Sequence, residues 1–117
     1  MRNGKIIVSR QGLDIVQLNG MQTESLKEKL GGLLVLAPLK SDQALWITRC
    51  NSIHTFGMKY ALDLVYIDKN KQVCGLIENI NPWKMSFLLR AQSVMELMAG
   101  SIQKMDIQYG DNCKWLD

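Results

Sequence analysis

The strongest indication of fold in the sequence is the stretch ALDLVYIDKNKQVCGLIENI, residues 61–80. Two runs rich in β-branched and bulky apolar residues, 61–67 and 72–80, flank the polar segment DKNK. β-Branched and aromatic side chains pack well on a pleated sheet, and a charged link between two such runs forms a solvated turn. This stretch therefore predicts a β-hairpin.

Shorter runs of the same kind lie on both sides of this hairpin. They predict strands at Lys5–Val8, Leu13–Leu18, Ala44–Thr48, Ser86–Arg90 and Ser93–Met98, the first two joined as an N-terminal hairpin. Thr23 is placed to cap a short helix that ends at Gly31-Gly32. A helical turn is predicted at Ser101–Met105 and a tight turn at Gly110-Asp111.

Many short strands with little helix indicate a mostly β (α+β) fold, a small antiparallel β-barrel or sandwich with one or two short helices. A parallel α/β fold is not expected, because the crossover helices that join parallel strands are missing. The 117 residues contain no internal repeat and no linker-like tract, so we expect a single domain over residues 1–117.

Composition narrows the classes of partner. The 14 Lys and Arg residues exceed the 11 Asp and Glu residues by only three, and they are scattered along the chain. Nucleic-acid binding requires a continuous basic patch that neutralises several phosphates, so no nucleic-acid partner is expected. The longest apolar stretch, residues 30–39, is about half the length needed to span a bilayer, so no membrane partner is expected.

The N-terminus and the cysteines indicate the compartment. Residues 1–12 hold only a three-residue apolar run, which is too short for a secretory signal. Cys50, Cys74 and Cys113 are odd in number and lack C-x-x-C spacing, a pattern typical of reduced thiols. These features predict a cytoplasmic protein.

Residues 53–63 form the segment where a site is most expected. They include the only histidine, His54, in a predicted loop after a strand, where a rigid sheet can position functional side chains. An imidazole there can act as acid, base or metal ligand, or it can hold the loop by hydrogen-bonding backbone groups. A lone histidine has no metal-ligand spacing of its own, so no metal site is predicted from it.

Asp63 lies between Leu62 and Leu64 in an otherwise apolar strand. A bare carboxylate facing the interior would cost several kcal/mol. Asp63 therefore requires partners, namely backbone N–H groups, Arg49 or His54, or else a cleft onto which it opens. We interpret it as a structural carboxylate that holds the His54 loop, with catalysis as the alternative.

Two further carboxylates and one thiol are weaker candidates. Glu96 is flanked by Met95 and Leu97, and either faces solvent on a half-buried strand or belongs to the site. Asp111 follows Gly110 and is expected to bond nearby backbone in a turn. Cys50 is only four residues from His54, but it would need a base beside it to act as a nucleophile.

Taken together, these segments resemble a prokaryotic family of domains of unknown function, family 192. The matching pieces span about residues 9–116 and comprise Leu30–Leu39, Leu45-Trp46-Ile47, Ser52–Met58, Leu62-Asp63, Pro82-Trp83, Ala91–Gly100 and Gly110-Asp111. The resemblance implies a small, mostly antiparallel β fold without an established activity. It implies that the family's motif positions are filled by His54, Met58, Asp63, Glu96, Gly100 and Asp111. Gly31-Gly32-Leu33 departs from the family's more basic stretch after the helix.

Three functions follow as hypotheses. The first is a binding or accessory module with a small polar pocket near His54 and Asp63, which holds a small molecule or a peptide end. The second is a metal-assisted hydrolase that uses His54, Asp63 and Glu96. The third is a structural or assembly protein whose motif only holds the fold. The predicted binding residues are Arg49, His54, Met58, Asp63, Glu96 and Asp111; no catalytic residue, cofactor or oligomeric state is predicted.

Overall fold

Nine β-strands and one short helix form the part of the chain that the computed structural model describes, residues 1–24 and 38–117. The strands are β1 (Arg2–Arg10), β2 (Leu13–Gln22), β3 (Gln43–Thr48), β4 (Ser52–His54), β5 (Leu62–Ile67), β6 (Val73–Ile80), β7 (Met85–Phe87), β8 (Ser93–Met98) and β9 (Asn112–Leu116). The helix, α1, is Ser101–Met105.

Seven of these strands form one strongly curled sheet in the order β6-β5-β8-β3-β2-β1-β9. Every neighbouring pair is antiparallel except β2 and β3, which run parallel. The sheet is not closed, although a bridge between Gln72 and Asn112 joins its two edges at one end. The predicted mostly β class is confirmed, whereas the antiparallel barrel is corrected to an open, mixed sheet.

A second sheet of two antiparallel strands, β4 and β7, covers one face of the large sheet. Its inward side chains complete a hydrophobic core, the outer core, which includes Leu45, Ile53, Met58, Leu64 and Tyr66. The Tyr66 hydroxyl donates to Ser86 Oγ of β7 at 2.7 Å and so ties the two sheets together.

The opposite face of the large sheet packs a second hydrophobic cluster, the inner core. It lies inside the curl of the sheet, and α1 contributes Ile102. Because β5 packs against both cores, all six of its residues are buried. Strands that are buried on both faces usually consist of continuous apolar residues, so a charged residue within such a strand is unusual.

Most of the predicted elements are confirmed. The two hairpins, the strands beginning near residues 44 and 93, and the helical turn at Ser101–Met105 all form. The strand predicted at Ser86–Arg90 is shorter and begins one residue earlier. The predicted polar break before His54 contains a strand, β4, that was missed. Of the helix predicted after Thr23, residues 25–37 lie outside the described part of the chain.

Within the described ranges, no helix has both the length and the apolar character needed to cross a membrane.

Candidate functional site

His54 ends β4 and is exposed to solvent, not enclosed in a pocket. Its ring lies 5.1 Å from that of Phe56, centroid to centroid, and the Phe56 ring stacks on Trp83 at 5.9 Å. Aromatic pairs at such separations attract each other beyond the area that they bury. The three rings therefore form a continuous stack on the outside of the small sheet.

Thr55 is the buried anchor of this stack. Its hydroxyl donates to the Asn81 carbonyl at 2.7 Å and accepts from the Lys84 N–H at 2.9 Å. The Thr55 carbonyl accepts the N–H of Trp83 at 3.0 Å. Trp83 itself has a φ of 66°, a left-handed conformation that is uncommon for a bulky residue. Thr55 thus connects the His54 loop to the segment that carries Trp83 and sets the position of the indole.

The stack continues into a row of apolar side chains along β7. Exposed fractions are 70% for Trp83, 73% for Met85, 64% for Phe87 and 77% for Leu89. Side chains of a strand alternate between faces, so Met85 and Phe87 of β7 point outward, whereas Ser86 points inward and bonds to Tyr66. Trp83 and Leu89 lie in the turns on either side of β7 and are exposed as well. We call this surface the aromatic face; it comprises His54, Phe56, Trp83, Met85, Phe87 and Leu89.

The charged residues in the two segments that carry the aromatic face are all basic. Residues 49–62 and 79–95 contain Arg49, Lys59, Lys84 and Arg90 but no Asp or Glu. All four of these basic residues are exposed. These two segments therefore add only positive charge to the surface.

One edge of β7 is open in the described part of the chain. Thr55 N–H donates to the Lys84 carbonyl and Leu88 N–H to the Asn51 carbonyl, both at 2.9 Å, so the even-numbered residues of β7 bond to β4. Backbone groups alternate between the two edges of a strand, so those of Met85 and Phe87 point away from β4. An edge of this kind is a template for another strand.

Asp63 is completely buried, and both of its carboxylate oxygens are used. Oδ1 accepts the N–H of Asn79 at 2.8 Å, and Oδ2 accepts the N–H of Ile102 at 2.9 Å. Asn79 has a φ of 56°, and α1 has no side-chain cap of its own. Asp63 therefore caps α1 and holds an irregular turn of β6. Asp63 has a structural role, but the interpretation that it holds the His54 loop is wrong, because its partners lie in β6 and α1.

Glu96 lies on the opposite face of the sheet from Asp63. It pairs across the strands with Leu45 and Leu64 of the outer core, whereas Asp63 pairs with Leu97 of the inner core. Only 5% of Glu96 is exposed, and burial raises its pKa from 4.5 to about 7. Of the two alternatives left open for Glu96, the one in which it faces solvent is wrong.

Two buried polar atoms are notable. Glu96 Oε2 and Tyr60 Oη are both fully buried, and neither has a hydrogen-bond partner among the described residues. The Tyr60 pKa is raised, mainly by burial and further by the charge of Glu96.

The other predicted site residues have different surroundings. Arg49 is exposed and borders a shallow hollow of about 360 Å³ with Cys50 and Gln92. The Cys50 thiol donates to the Ser52 carbonyl at 3.0 Å and has no hydrogen bond to His54. Met58 is buried in the outer core.

Asp111 is buried at the turn before β9. Its carboxylate receives two hydrogen bonds from Arg10, at 2.7 and 2.9 Å, and one from the Gln108 N–H at 2.8 Å. The Arg10 guanidinium lowers the Asp111 pKa. The turn role is confirmed, with Arg10 as an additional partner.

The predicted pocket shared by His54 and Asp63 is therefore wrong. His54 is on the outer surface of the small sheet, Glu96 is between the two sheets, and Asp63 is on the opposite face of the large sheet. Among residues 1–24 and 38–117, no three His, Cys, Asp or Glu side chains are grouped to hold a metal ion. Phe56, Thr55 and Tyr60 were not among the predicted site residues. The alternation of apolar residues from 83 to 89 was the one local sign of the aromatic face in the sequence.

Comparison with known proteins agrees with this fold. The DUF192 family, described as Uncharacterized ACR, COG1430, matches residues 7–115. A UPF0127 protein from Pyrococcus furiosus is 31% identical over 70 residues, which covers 58% of this chain. The match spans 60% of that relative's own length, less than two thirds of it.

Two crystal structures share the fold. A protein of unknown function from Novosphingobium aromaticivorans matches with a TM-score of 0.84 and 16% identity, covering 97% of this chain and 85% of that one. A candidate transcription regulator from Sinorhizobium meliloti matches with a TM-score of 0.86 and 16% identity, covering 97% and 94%. At this identity the two structures are evidence for the fold alone. With its residues 7–115 matched by the family, the chain belongs to DUF192.

Proposed function

We propose that this protein is a binding module whose aromatic face docks an extended peptide segment with apolar and acidic side chains. The single observation that carries the proposal is the set of four exposed apolar side chains in β7, which has an open edge, and in the turns that flank it: Trp83, Met85, Phe87 and Leu89. The proposal keeps the predicted class of function, a module that binds a peptide, and moves its site from a polar pocket to a surface.

Exposed apolar side chains of this size support a binding role. Soluble monomers seldom expose contiguous apolar patches, and such patches, when rimmed by polar residues, mark interaction sites. Trp and Tyr are enriched among the residues that dominate binding energy, because they bury a large area at a small cost in side-chain entropy. Trp83 is the most exposed aromatic side chain among the described residues and sits at the end of the ring stack.

The open backbone edge supports a peptide over other ligands. An extended peptide that pairs with β7 would gain main-chain hydrogen bonds from Met85 and Phe87, while its alternate side chains contact the aromatic face. Neither a lipid surface nor a nucleic acid makes use of free strand N–H and C=O groups in this way.

The charge distribution supports an acidic peptide. Because residues 49–62 and 79–95 contain basic but no acidic residues, a partner with carboxylates is attracted to the face and one with lysines is repelled. His54, stacked at the end of the row, adds an imidazole that can donate to a carboxylate.

The three thiols support the predicted cytoplasmic location as part of the same proposal. Cys50, Cys74 and Cys113 are all free, a state that is favoured in a reducing compartment.

The test uses a fluorescein-labelled nine-residue peptide in which Glu alternates with Val and Phe, and measures its binding by fluorescence anisotropy. We expect saturable binding to the wild-type protein and weaker binding of the counterpart with Lys in place of Glu. A copy N-methylated at alternate peptide bonds should not bind, since it cannot pair with β7. Trp83→Ala should weaken binding roughly tenfold or more. Leu13→Ala, which removes an equally exposed apolar side chain far from the face in sequence, serves as the control.

Three results contradict the proposal: equal binding of the N-methylated peptide, equal binding by Trp83→Ala and wild type, or no binding of the peptide at all. Parallel titrations with an oligo-dT strand and with vesicles containing phosphatidylserine cover the other partner classes. Binding to either of these, without binding to the acidic peptide, also rules the proposal out.

A further inference from the structure

The curled sheet has a hollow at the place where its two edges separate. The edges meet at the start of β9, where the Cys113 N–H donates to the Lys71 carbonyl at 2.8 Å. Beyond Cys113, β9 pairs with β1 on one side and with no described strand on the other. Beside this open stretch lies a hollow of about 460 Å³, the edge hollow, lined by residues of β2, β3, β9 and the turn before β6. Sites for small organic ligands have volumes of roughly 300–1,000 Å³ and often lie in the mouths of β-barrels.

Two tryptophans form the apolar wall of the edge hollow. Trp46 of β3 and Trp115 of β9 both line it, and their rings meet edge to face with centroids 6.3 Å apart. A Cβ atom at Gly4 or at Gly20 would lie only 2.6 Å from an atom of the Trp115 ring. Glycine at these two positions therefore leaves room for the indole close to the backbone of β1 and β2. Since the Trp115 side chain is only half-buried, part of it is available to a ligand.

The rim of the edge hollow is polar and positively charged. Lys71 and Lys114 line it, and both are exposed. The exposed amides of Asn70 and Asn112 line it as well, so the hollow is open to solvent at this rim. No Asp or Glu is among its described lining residues. Ammonium and amide groups donate hydrogen bonds to carboxylate and phosphate oxygens, so a negatively charged group can be bound at the rim.

The acidic residues closest in sequence to the lining have partners of their own. The Asp117 carboxylate pairs with Arg2 Nε at 3.0 Å, and Glu24 pairs with the N-terminal ammonium at 3.2 Å. Asp68, in the turn that carries Lys71, accepts two N–H groups of that turn. Residues 25–37 contain two lysines and one glutamate in sequence, so they add no net negative charge. The two lysines of the rim are therefore not offset.

We infer that the edge hollow binds a small aromatic molecule that carries an acidic group. The aromatic ring would pack against Trp46 and Trp115, since aromatic rings attract one another in offset and edge-on arrangements. The acidic group would lie at the rim and accept hydrogen bonds from Lys71 and Lys114. A cationic ligand would be repelled by the same lysines.

This site is separate from the aromatic face. Trp46 belongs to the inner core and Trp115 packs against it, whereas the small sheet that carries the aromatic face covers the outer core. The two sites have no residue in common, so the inference goes beyond peptide docking and does not depend on it.

The experiment titrates ¹⁵N-labelled protein with 2-naphthoate and follows the indole N–H signals by NMR. The chain has three tryptophans, and Trp83→Phe identifies the signal of the one on the aromatic face. We expect 2-naphthoate to shift the signals of Trp46 and Trp115, to saturation, and to leave that of Trp83 in place. The neutral analogue 2-naphthamide, which has the same shape, should bind several-fold more weakly because it lacks the charge.

The double variant Lys71→Gln/Lys114→Gln should weaken 2-naphthoate binding roughly tenfold or more. Both lysines are exposed, so the variant keeps the core intact. Lys69→Gln is the matched control, because Lys69 is an exposed lysine of the same turn that does not line the hollow, and it should bind like wild type.

Four results would overturn the inference. They are no saturable shift at Trp46 and Trp115, a shift at Trp83 alone, equal binding of 2-naphthamide, and undiminished binding by the double lysine variant. Peptide docking is read from anisotropy and from Trp83, so either proposal can fail without the other.

Discussion

Asp63 and Glu96 lie on adjacent strands and are both buried, yet their environments give them opposite roles. Asp63 accepts two backbone N–H groups, so its charge is compensated by the fold itself. Glu96 has an unpartnered oxygen and no compensating cation among the described residues. The difference arises because successive residues along a strand face opposite sides of the sheet.

Asp63→Asn should lower the free energy of unfolding by about 2 kcal/mol, because the amide NH₂ would face one of two buried N–H donors. Urea denaturation measures the change. Asp14→Asn, which changes an exposed aspartate of β2, should leave the free energy of unfolding nearly unchanged. Loss of peptide binding by Asp63→Asn with unaltered stability would contradict a purely structural role.

Glu96 should make stability depend on pH. Its folded pKa of about 7 exceeds the ordinary 4.5, so the folded state holds a proton that the unfolded state releases between these values. Stability is therefore greatest at low pH in this window and falls as pH rises from about 4.5 to about 7, by roughly 3 kcal/mol from this group. Above pH 7 the loss is complete.

Comparing urea denaturation of wild type and Glu96→Gln at pH 5 and pH 8, in amine-free buffer, isolates this effect. The variant should gain stability relative to wild type at pH 8 but much less at pH 5. Parallel pH profiles for the two proteins would show that Glu96 ionises in its ordinary range.

Among the elements, the small sheet and its loop depend most on a single side chain. Thr55 bonds to Asn81 and Lys84 through its hydroxyl, and these bonds place Trp83 against Phe56. Thr55→Val keeps the shape but leaves the Asn81 carbonyl and the Lys84 N–H without their side-chain partner. We expect it to cost about 1–3 kcal/mol and to weaken peptide binding as well.

Ser52→Ala is a suitable control for Thr55→Val, since Ser52 is an exposed residue of β4, the strand that directly precedes Thr55. Stability is read from urea denaturation and peptide binding from anisotropy. If Thr55→Val leaves both unchanged, the loop is held by other contacts.

Local pattern was enough to predict the long strands but not the site. The β5–β6 hairpin follows from its apolar runs, because the same residues indicate both a strand and a buried core there. β4 is only three residues long and begins in a polar tetrapeptide. It is therefore too short to show the alternation of polar and apolar residues that identifies a strand. The partners of Asp63 are 16 and 39 residues away, and the position of Glu96 between Leu45 and Leu64 depends on the strand order. Such contacts are set by topology, which the alternation of residues does not specify.

At the scale of the whole molecule, hydrogen bonds join the two edges of the curled sheet, where the start of β9 meets the residues before β6. Cys113 N–H donates to the Lys71 carbonyl and Val73 N–H to the Asp111 carbonyl, both at 2.8 Å. The Asp111 side chain binds Arg10 of β1 through two hydrogen bonds. This ion pair, in which Asp111 is buried and Arg10 is partly exposed, joins β1 to the turn before β9.

Asp111→Asn should cost about 2–3 kcal/mol at pH 7, because it leaves the Arg10 guanidinium without its buried partner. Arg10 lowers the Asp111 pKa below the ordinary 3.8, so this stabilisation is present at neutral pH and is lost as pH falls below about 3.8. The stability difference between wild type and variant should accordingly shrink in acid. A difference that is constant from pH 7 to pH 3 would contradict the ion pair.

The binding function depends on the open edge of β7, and hydrogen–deuterium exchange tests it most directly. The backbone N–H groups of Met85 and Phe87 point away from β4 and should exchange rapidly in the free protein. Saturation with the acidic, apolar peptide should slow exchange at these two amides and leave the β9 amides unchanged. Unaltered exchange at Met85 and Phe87 in the peptide-saturated protein, or protection confined to another part of the fold, would contradict strand addition at the aromatic face.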